Sequence, residues 1–222
     1  MDRDAFRAQV LAERRGWYSP WVHLGVPSVF AVGAIAAAAL TIRGLTTLEA
    51  LFGVGLFVLS NAAEWRIHKS LLHRRFRFAP LLYDRHTPMH HRVFVTQDMA
   101  IRSPREFQLV LLPAFAIVAL GVGLSPIAAL IWFHAGHNLA CVFVIETMAY
   151  VVTYEWLHLS YHLPAESLIG RLALIRFLRR HHAAHHDPTL MQKWNFNVSL
   201  PLWDVVKRTY LRSFAGEARS RA

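Results

Sequence analysis

The longest uncharged stretch of the sequence is the strongest indication of the fold. Residues 107–145 contain no Asp, Glu, Lys or Arg over 39 residues and read "FQLVLLPAFAIVALGVGLSPIAALIWFHAGHNLACVFVI". A helix needs about 20 apolar residues to cross the hydrocarbon core of a bilayer. The stretch is therefore long enough for two membrane-spanning helices, and "GLSP" at 123–126 is the predicted turn between them. This pattern favours an all-α protein embedded in a membrane.

Two further apolar runs come earlier in the chain. Residues 22–42 contain no Asp, Glu, Lys or Arg, and residues 48–63 contain only Glu49. We therefore predict an integral membrane four-helix bundle that forms a single domain, residues 1–222. Its spans are expected at about 21–42, 47–67, 106–122 and 127–157. The last helix would be about 46 Å long, which exceeds a hydrocarbon core of about 30 Å, so it must project from the membrane or break, with Gly136 as the predicted break.

The basic residues indicate an orientation in the membrane. The chain has a formal net charge of +10, and of its 24 Lys and Arg residues nine lie in 64–105 and ten in 163–222. Basic residues are enriched on the cytoplasmic side of membrane spans, so these segments and both termini are predicted to be cytoplasmic. A bacterial host would place such a multi-pass protein in its inner membrane. No nucleic-acid partner is expected, because the basic segments carry no nucleic-acid-binding motif.

Two absences narrow the class of protein. No cleavable signal peptide is predicted, because the first apolar run is too long for the hydrophobic region of a signal. Cys141 is the only cysteine, so the sequence predicts neither an internal disulfide nor a cysteine-based metal site.

Histidines are concentrated in the segments assigned to the cytoplasm. Eleven of the 14 histidines fall in four short clusters. A single His pair beside basic residues is typical of a surface, but four clusters on one side of a membrane indicate a shared site. We therefore expect these histidines to converge on one site at the cytoplasmic ends of the spans. The clusters are "EWRIHKSLLH" (64–73), "RHTPMHHR" (85–92), "EWLHLSYH" (155–162) and "HHAAHHD" (181–187).

Helical spacing indicates which imidazoles can converge. Residues four apart on an α-helix differ by about 40°, and residues three apart by about 60° the other way. His158 and His162 therefore share a face. The same holds for three histidines of the fourth cluster, His182, His185 and His186.

Other members of the clusters are less regular. His181 lies about 100° from its neighbour on a helix, so it is expected to point away from the site. His68 and His73 would diverge by about 140°, so either the helix loosens there or the two residues serve two metals. Pro88 suits the first position of a helix with Thr87 as its cap, which would leave His86 just before that helix.

The number of imidazoles predicts a pair of metal ions. Neutral imidazole is the commonest protein ligand for transition metals, and an all-His shell favours Fe, Zn, Cu or Ni. Ten imidazoles are too many for one ion but suit two ions with about five ligands each. A hydrolytic zinc site needs only three protein ligands and an open position, so ten ligands fit a redox di-metal centre better.

Three histidines lie outside the clusters. His23 opens the first predicted span and is expected at the membrane interface. His134 and His137 lie early in the fourth predicted span, where a buried polar contact within the bundle is expected.

In these clusters the sequence resembles the fatty acid hydroxylase/sterol desaturase superfamily of membrane di-iron enzymes. The motifs "HKSLLH", "HTPMHH", "HLSYH" and "HAAHH" stand in that superfamily's order, and "NFNVSLPLWDVVKRTY" (195–210) resembles its ending more loosely. The resemblance implies a four-span bundle with a cytosolic, His-lined helical cap over two iron ions, O₂ as the oxidant and an external electron-donor protein. Carried over position by position, the implied ligands are His68, His73, His86, His90, His91, His158, His162, His182, His185 and His186.

The expected activity is hydroxylation or desaturation of an unactivated C–H bond in a lipid-like substrate, such as a fatty acyl chain, a sterol or a carotenoid. No catalytic residue beyond the metal ligands is predicted, and zinc could replace iron in a purified form. The second ring nitrogen of a ligand histidine is usually held by a carboxylate or a carbonyl. The acids expected in that role are Glu64, Asp98, Asp187 and Asp204.

Two other classes of function remain open from the sequence. A membrane di-zinc lipid hydrolase would act without O₂ or a reductant. A non-enzymatic metal transporter should carry its ligands within the spans near the midplane. A haem-binding protein would need only one or two His pairs.

Overall fold

The computed structural model describes residues 2–13 and 16–212, and in this part of the chain 69% of the sequence is helical and no β-strand occurs. The all-α prediction is confirmed. The chain forms two compact units. The first draws on Met1–Pro20, Asn61–Val110 and Leu157–Ala222, and the second on Trp21–Ser60 and Leu111–Trp156.

The helices alternate between long apolar ones and short polar ones. Two π-helical segments, π1 (His68–Leu72) and π2 (His86–His90), and one 3-10 turn (Pro104–Glu106) complete the described helices. The α-helices are α1 (Arg3–Ala12), α2 (Pro20–Thr41), α3 (Thr47–Ile67), α4 (Pro80–Arg85), α5 (His91–Val93), α6 (Phe107–Val110), α7 (Ala114–Ala135), α8 (His137–Tyr161), α9 (Ala173–His185) and α10 (Leu202–Val206).

Four helices among the described residues are long and apolar enough to cross a membrane. They are α2, α3 extended through π1 to Leu72, α7 and α8. A helix of 22 residues such as α2 is about 33 Å long, which matches the hydrocarbon core. The observed α2 and α3 agree with the predicted spans 21–42 and 47–67 to within one residue at each end.

The predicted spans 106–122 and 127–157 were wrong, because the chain does not turn at "GLSP". Helix α7 continues through Pro126, which lacks the N–H that would bond to the Val122 carbonyl. The Ser125 hydroxyl donates to that carbonyl instead, at 2.7 Å. The turn lies at Gly136, whose φ of +107° is a conformation that side chains with a Cβ rarely adopt.

Moving the turn also moves the two histidines beside it. His134 ends α7 and His137 begins α8, and both are exposed rather than buried within a bundle. The His137 Nε2 lies 3.1 Å from the Thr41 carbonyl. The expectation of a buried contact for this pair was therefore wrong.

Polar contacts inside the second unit join its helices. His23 Nε2 lies 2.8 Å from the Leu112 carbonyl, and Glu155 accepts the Leu112 N–H at 3.1 Å. The Ser60 hydroxyl donates to Glu146 at 3.1 Å. His23 is buried in this unit. Many of the unit's apolar side chains face outward, as the surface of a lipid-exposed protein does.

The first unit is held together by buried polar side chains. Arg7 of α1 is 2% exposed, pairs with the Glu106 carboxylate and donates to the Ala100 carbonyl at 2.9 Å. Asn61 in α3 donates to the Leu200 carbonyl at 2.8 Å, and the Trp65 indole N–H donates to Thr209 at 2.9 Å. These contacts fasten the N-terminal helix and the C-terminal segment onto the histidine-bearing helices of the same unit.

The N-terminal helix α1 ends at Ala12, and positions 14 and 15 lie outside the described residues. Turns follow Pro164, and the next helix, α9, begins only at Ala173. The turns before it bring the chain so close that a Cβ on Gly170 would lie 2.5 Å from the Pro164 carbonyl oxygen.

Candidate metal centre

Ten buried histidines of the first unit form two groups that could each hold a metal ion. Within each group, one ring nitrogen of every histidine lies within 4.8 Å of those of the others. The two groups contain the same ten residues that the sequence motifs singled out. The first group is His68, His73, His86, His91 and His185, and the second is His90, His158, His162, His182 and His186.

The two π-helical segments explain how histidines five positions apart reach one ion. In a π-helix the hydrogen bonds connect residues five apart, and such segments are often found at functional sites. Segment π1 begins at His68 and ends just before His73. Segment π2 begins at His86 and ends just before His91. All four histidines belong to the first group. Of the two alternatives for His68 and His73, the structure has the loosened helix. His86 is therefore inside a helix, and Pro88 does not begin one.

Regular α-helical spacing supplies most of the second group. His158 and His162 lie one turn apart in and just after α8, and His182 and His186 lie one turn apart in and just after α9. His185 of the same motif turns to the first group. The "HAAHH" motif is thus divided between the two groups.

The two groups are neighbours. The π2 segment ends at His90, which belongs to the second group, and the next residue, His91, belongs to the first. The rings of His91 and His186, one from each group, have centroids 4.4 Å apart. This arrangement is compatible with a di-metal site.

Five of the ten ligand candidates are oriented by backbone carbonyls. A neutral imidazole carries one N–H, so an Nδ1 that faces a carbonyl must donate and its Nε2 keeps a lone pair. His73 has a side-chain partner: the Thr87 hydroxyl donates to the Leu72 carbonyl and accepts from His73 Nδ1 at 3.1 Å. The carbonyl contacts are His68 to Phe196, His90 to Leu109 (2.8 Å), His162 to Met99 (2.7 Å), His185 to Trp194 (2.9 Å) and His186 to Phe94 (2.7 Å).

These contacts fix where the lone pairs point. The Nε2 atoms of His90 and His186 are 3.2 Å apart, and both residues use Nδ1 as a donor. Two lone pairs that face each other in this way repel unless a cation lies between them. His162 Nε2 is buried and has no hydrogen-bond partner among the described residues, as expected of an atom reserved for a metal.

The spacing of the ring nitrogens fits an ion with more than four ligands. Nitrogens at right angles around one ion, with bonds of about 2.1 Å, lie about 3.0 Å apart, whereas a tetrahedral ion sets them about 3.4 Å apart. The closest Nε2 pairs span 2.9 to 3.2 Å. They are His68–His86, His73–His185 and His86–His91 in the first group, and His90–His186 and His182–His186 in the second. The residues present therefore fit two ions with five imidazoles each.

Burial keeps these imidazoles neutral. Loss of hydration lowers the pKa of His90 and of His185 to about 4, and that of His73 to about 2. The pKa values of His86, His91, His162, His182 and His186 also lie well below their usual range, first because of burial and then because of neighbouring histidines. Neutral imidazole is the form that binds metal, so these histidines are already in the protonation state that a metal ion requires.

The four acids expected to orient ligands make other contacts. Glu64 accepts the backbone N–H of Ser199 at 3.1 Å, and Asp187 accepts that of Thr189 at 2.8 Å. Asp98 forms ion pairs with Arg3 and Arg102. Six ligand candidates have orienting partners of another kind, namely five backbone carbonyls and the Thr87 hydroxyl.

Asp204 supports the site through the backbone. Its carboxylate accepts the N–H groups of Phe196 and Asn197 at 3.0 and 2.8 Å, and the Phe196 carbonyl accepts from His68. It also bonds to His181 at 3.1 Å. His181 belongs to neither group, which agrees with its expected position off the shared face.

Sequence reasoning missed Thr87 and the five carbonyls. Thr87 precedes Pro88, and the sequence suggested it as a helix cap rather than as a partner of His73. The carbonyls carry no signal in the sequence, because every residue has one.

The chain matches no family model, and comparison with curated proteins and with solved structures found no similar protein.

Proposed function

We propose that the chain is an integral membrane di-iron oxidoreductase that hydroxylates or desaturates a C–H bond of a lipid-like substrate. The observation that carries the proposal is the convergence of the ring nitrogens of ten buried imidazoles into two adjacent groups. The order of the histidine motifs adds the resemblance to the fatty acid hydroxylase/sterol desaturase superfamily, and membership of that superfamily is part of the proposal.

Iron is the metal we favour. Spacing of the Nε2 atoms near 3.0 Å suits five or six ligands, whereas structural and catalytic zinc is usually bound by four. When bound, the irons supply the O₂-dependent chemistry that removes hydrogen from the substrate, with electrons from an external donor protein. Hydroxylation then consumes one O₂, two electrons and two protons and releases one water for each alcohol formed.

The protein's own residues hold and shield this chemistry. Backbone carbonyls fix five of the ten imidazoles in one tautomer and one ring orientation, which raises their basicity as ligands. All ten ligand candidates are buried, so bulk water is kept from the reacting centre. All ten candidate metal ligands are neutral imidazoles, so the ligands themselves would leave the positive charge of the two ions largely uncompensated.

The proposed membrane location indicates which class of substrate could reach the site. Four helices match the thickness of a bilayer, and we propose that they insert as a four-helix bundle with both termini in the cytoplasm. The histidine-bearing segments would then form a cap on the cytoplasmic side. A fatty acyl chain, a sterol or a carotenoid would reach such an enzyme from the bilayer.

The activity is tested by comparing membrane lipids from cells that express the wild-type chain or the His162→Ala variant under isotopically labelled O₂. The proposal predicts a hydroxylated lipid that carries the label, or an unsaturated lipid, only with the wild type. His134→Ala is a matched control, because His134 is exposed and outside both groups. Products of lipid cleavage formed without O₂ would favour a di-zinc hydrolase instead.

A further inference from the structure

The segment 163–177 of the first unit, here called the interfacial segment, exposes apolar side chains that a water-facing surface does not favour. Leu168 is 86% exposed and Leu172 is 55% exposed. Contiguous exposed apolar patches usually mark a binding surface or a membrane contact. The exposed members are Leu168, Ile169, Leu172, Leu174 and Phe177.

Hydrogen bonds within the segment hold these side chains outward. The Pro164 carbonyl accepts from both the backbone N–H and the hydroxyl of Ser167, at 3.1 and 2.7 Å. The same hydroxyl accepts the Gly170 N–H at 3.0 Å. A Cβ on Gly170 would lie 2.5 Å from the Pro164 carbonyl oxygen, so the turn requires glycine. The protruding leucines therefore belong to a compact, internally bonded turn.

Helix α9 continues this surface. Its inner face buries Ile175 and Leu178 together with histidines of the metal groups. Leu174 and Phe177, three residues apart, lie together on the exposed side. The helix is therefore apolar on both faces at its start, and only the inner face is covered within the first unit.

The charges beside this apolar surface are basic. Arg171 and Arg176 are exposed, and neither forms an ion pair in the part of the chain that the structure describes. Glu166 is the only acid between residues 163 and 186. Guanidinium groups bind phosphate through two parallel hydrogen bonds, so the surface combines apolar contacts with sites for anionic phosphate.

We infer that the interfacial segment rests in the headgroup region of an anionic bilayer, with its leucines and Phe177 among the acyl chains and Arg171 and Arg176 on lipid phosphates. Protruding aliphatic side chains flanked by arginines are typical of interfacial membrane contacts. The four membrane-length helices of the same chain bring it to a bilayer in any case. This inference does not depend on the proposed enzymatic activity.

The test is a spin label on single cysteines in full-length protein reconstituted into phosphatidylglycerol-containing nanodiscs. Cys141→Ser removes the only native cysteine. Leu168→Cys carries the test label. Leu130→Cys, on an exposed site of α7, is the lipid control, and exposed Lys193→Cys is the water control. A label in lipid collides often with O₂ and rarely with a water-soluble nickel complex, whereas a label in water collides often with the nickel complex.

The label at 168 is expected to collide with O₂ readily and with nickel several-fold less than the label at 193, as the label at 130 does. Behaviour like that of 193 would overturn the inference. Shielding from both reagents would also overturn it and would indicate a protein contact. Arg171→Gln with Arg176→Gln, or nanodiscs of zwitterionic phosphatidylcholine alone, should raise the nickel collision rate at 168, and an unchanged rate in both cases would refute the contribution of the two arginines and of anionic lipid.

Discussion

His90 and His186 place their Nε2 atoms 3.2 Å apart, while each donates its Nδ1–H to a backbone carbonyl. His73 and His185 are similar: their Nε2 atoms are 3.0 Å apart, while His73 Nδ1 donates to the Thr87 hydroxyl and His185 Nδ1 donates to the Trp194 carbonyl. Opposed lone pairs at this distance are unfavourable in an empty, buried site. A cation between them turns the repulsion into coordination, which makes metal binding the central claim of the account.

Two neighbouring histidines of α9 provide a matched test of this claim. His185→Ala removes a member of the first group, so we expect bound metal to fall and activity to be lost. His181→Ala removes a buried partner of Asp204 that belongs to neither group, so metal content per folded chain should stay close to the wild-type value. Metal analysis of the folded fraction of each variant decides between them, and equal metal contents would refute the ligand assignment.

Thr87 offers a test of how His73 is oriented. Thr87→Val keeps the side-chain shape but removes the oxygen that accepts from His73 Nδ1. Loss of such a partner typically lowers metal affinity by about 10- to 100-fold. Thr87→Ser keeps the hydroxyl and should behave like the wild type. Chelator competition measures the affinity, and the account of Thr87 fails if the Val and Ser variants release metal alike.

The metal-free protein should lose stability as the pH falls below about 6.5. An unfolded histidine has a pKa of about 6.5, whereas the folded pKa values of His90 and His185 are about 4. Between these values the unfolded state binds more protons, so acid favours unfolding, by about 1.4 kcal/mol per pH unit for each such histidine. The free energy of unfolding should be highest above about pH 6.5 and should fall steadily between about pH 6.5 and about pH 4.

Unfolding of the metal-free protein in detergent, followed by circular dichroism across this pH range, measures the effect. The metal-loaded protein should resist acid until the metal is released, because a bound ion competes with the proton. A metal-free protein with constant stability from pH 6.5 to pH 4 would contradict the buried, neutral state of these histidines.

Gly136 tests the position of the turn between α7 and α8. Its φ of +107° means that Gly136→Ala should strain the backbone, at a cost of about 1–3 kcal/mol in the free energy of unfolding. Gly123→Ala is the control, because Gly123 lies within α7 with open space around its Cα, and alanine favours a helix. If the turn lay at "GLSP" instead, the order of the two effects would be reversed.

The sequence was sufficient for α2 and α3 and for the choice of histidines. Apolar runs with at most one charged residue mark these two helices, because the requirement is simply length and apolar character. The position of the turn near Gly136 was harder. Both Pro126 and Gly136 can end a helix, and the choice depended on the Ser125 hydroxyl, which satisfies the carbonyl that proline leaves free.

The division of the histidines into two groups could not be predicted from spacing alone. Spacing on a regular α-helix separates His68 from His73, and only the π1 segment reunites them. His185 lies near His182 and His186 on α9, yet it serves the other group because the neighbouring elements determine which imidazoles meet. Tertiary contacts of this kind leave no periodic signal.

Metal counting with Mössbauer spectroscopy, on protein expressed with iron and purified anaerobically, measures whether the ten histidines bind two iron ions. We expect about two non-haem iron ions per chain, with spectra of high-spin ferrous iron in a nitrogen-rich environment. Protein that is folded but contains no bound metal, or that shows a haem spectrum, would contradict it.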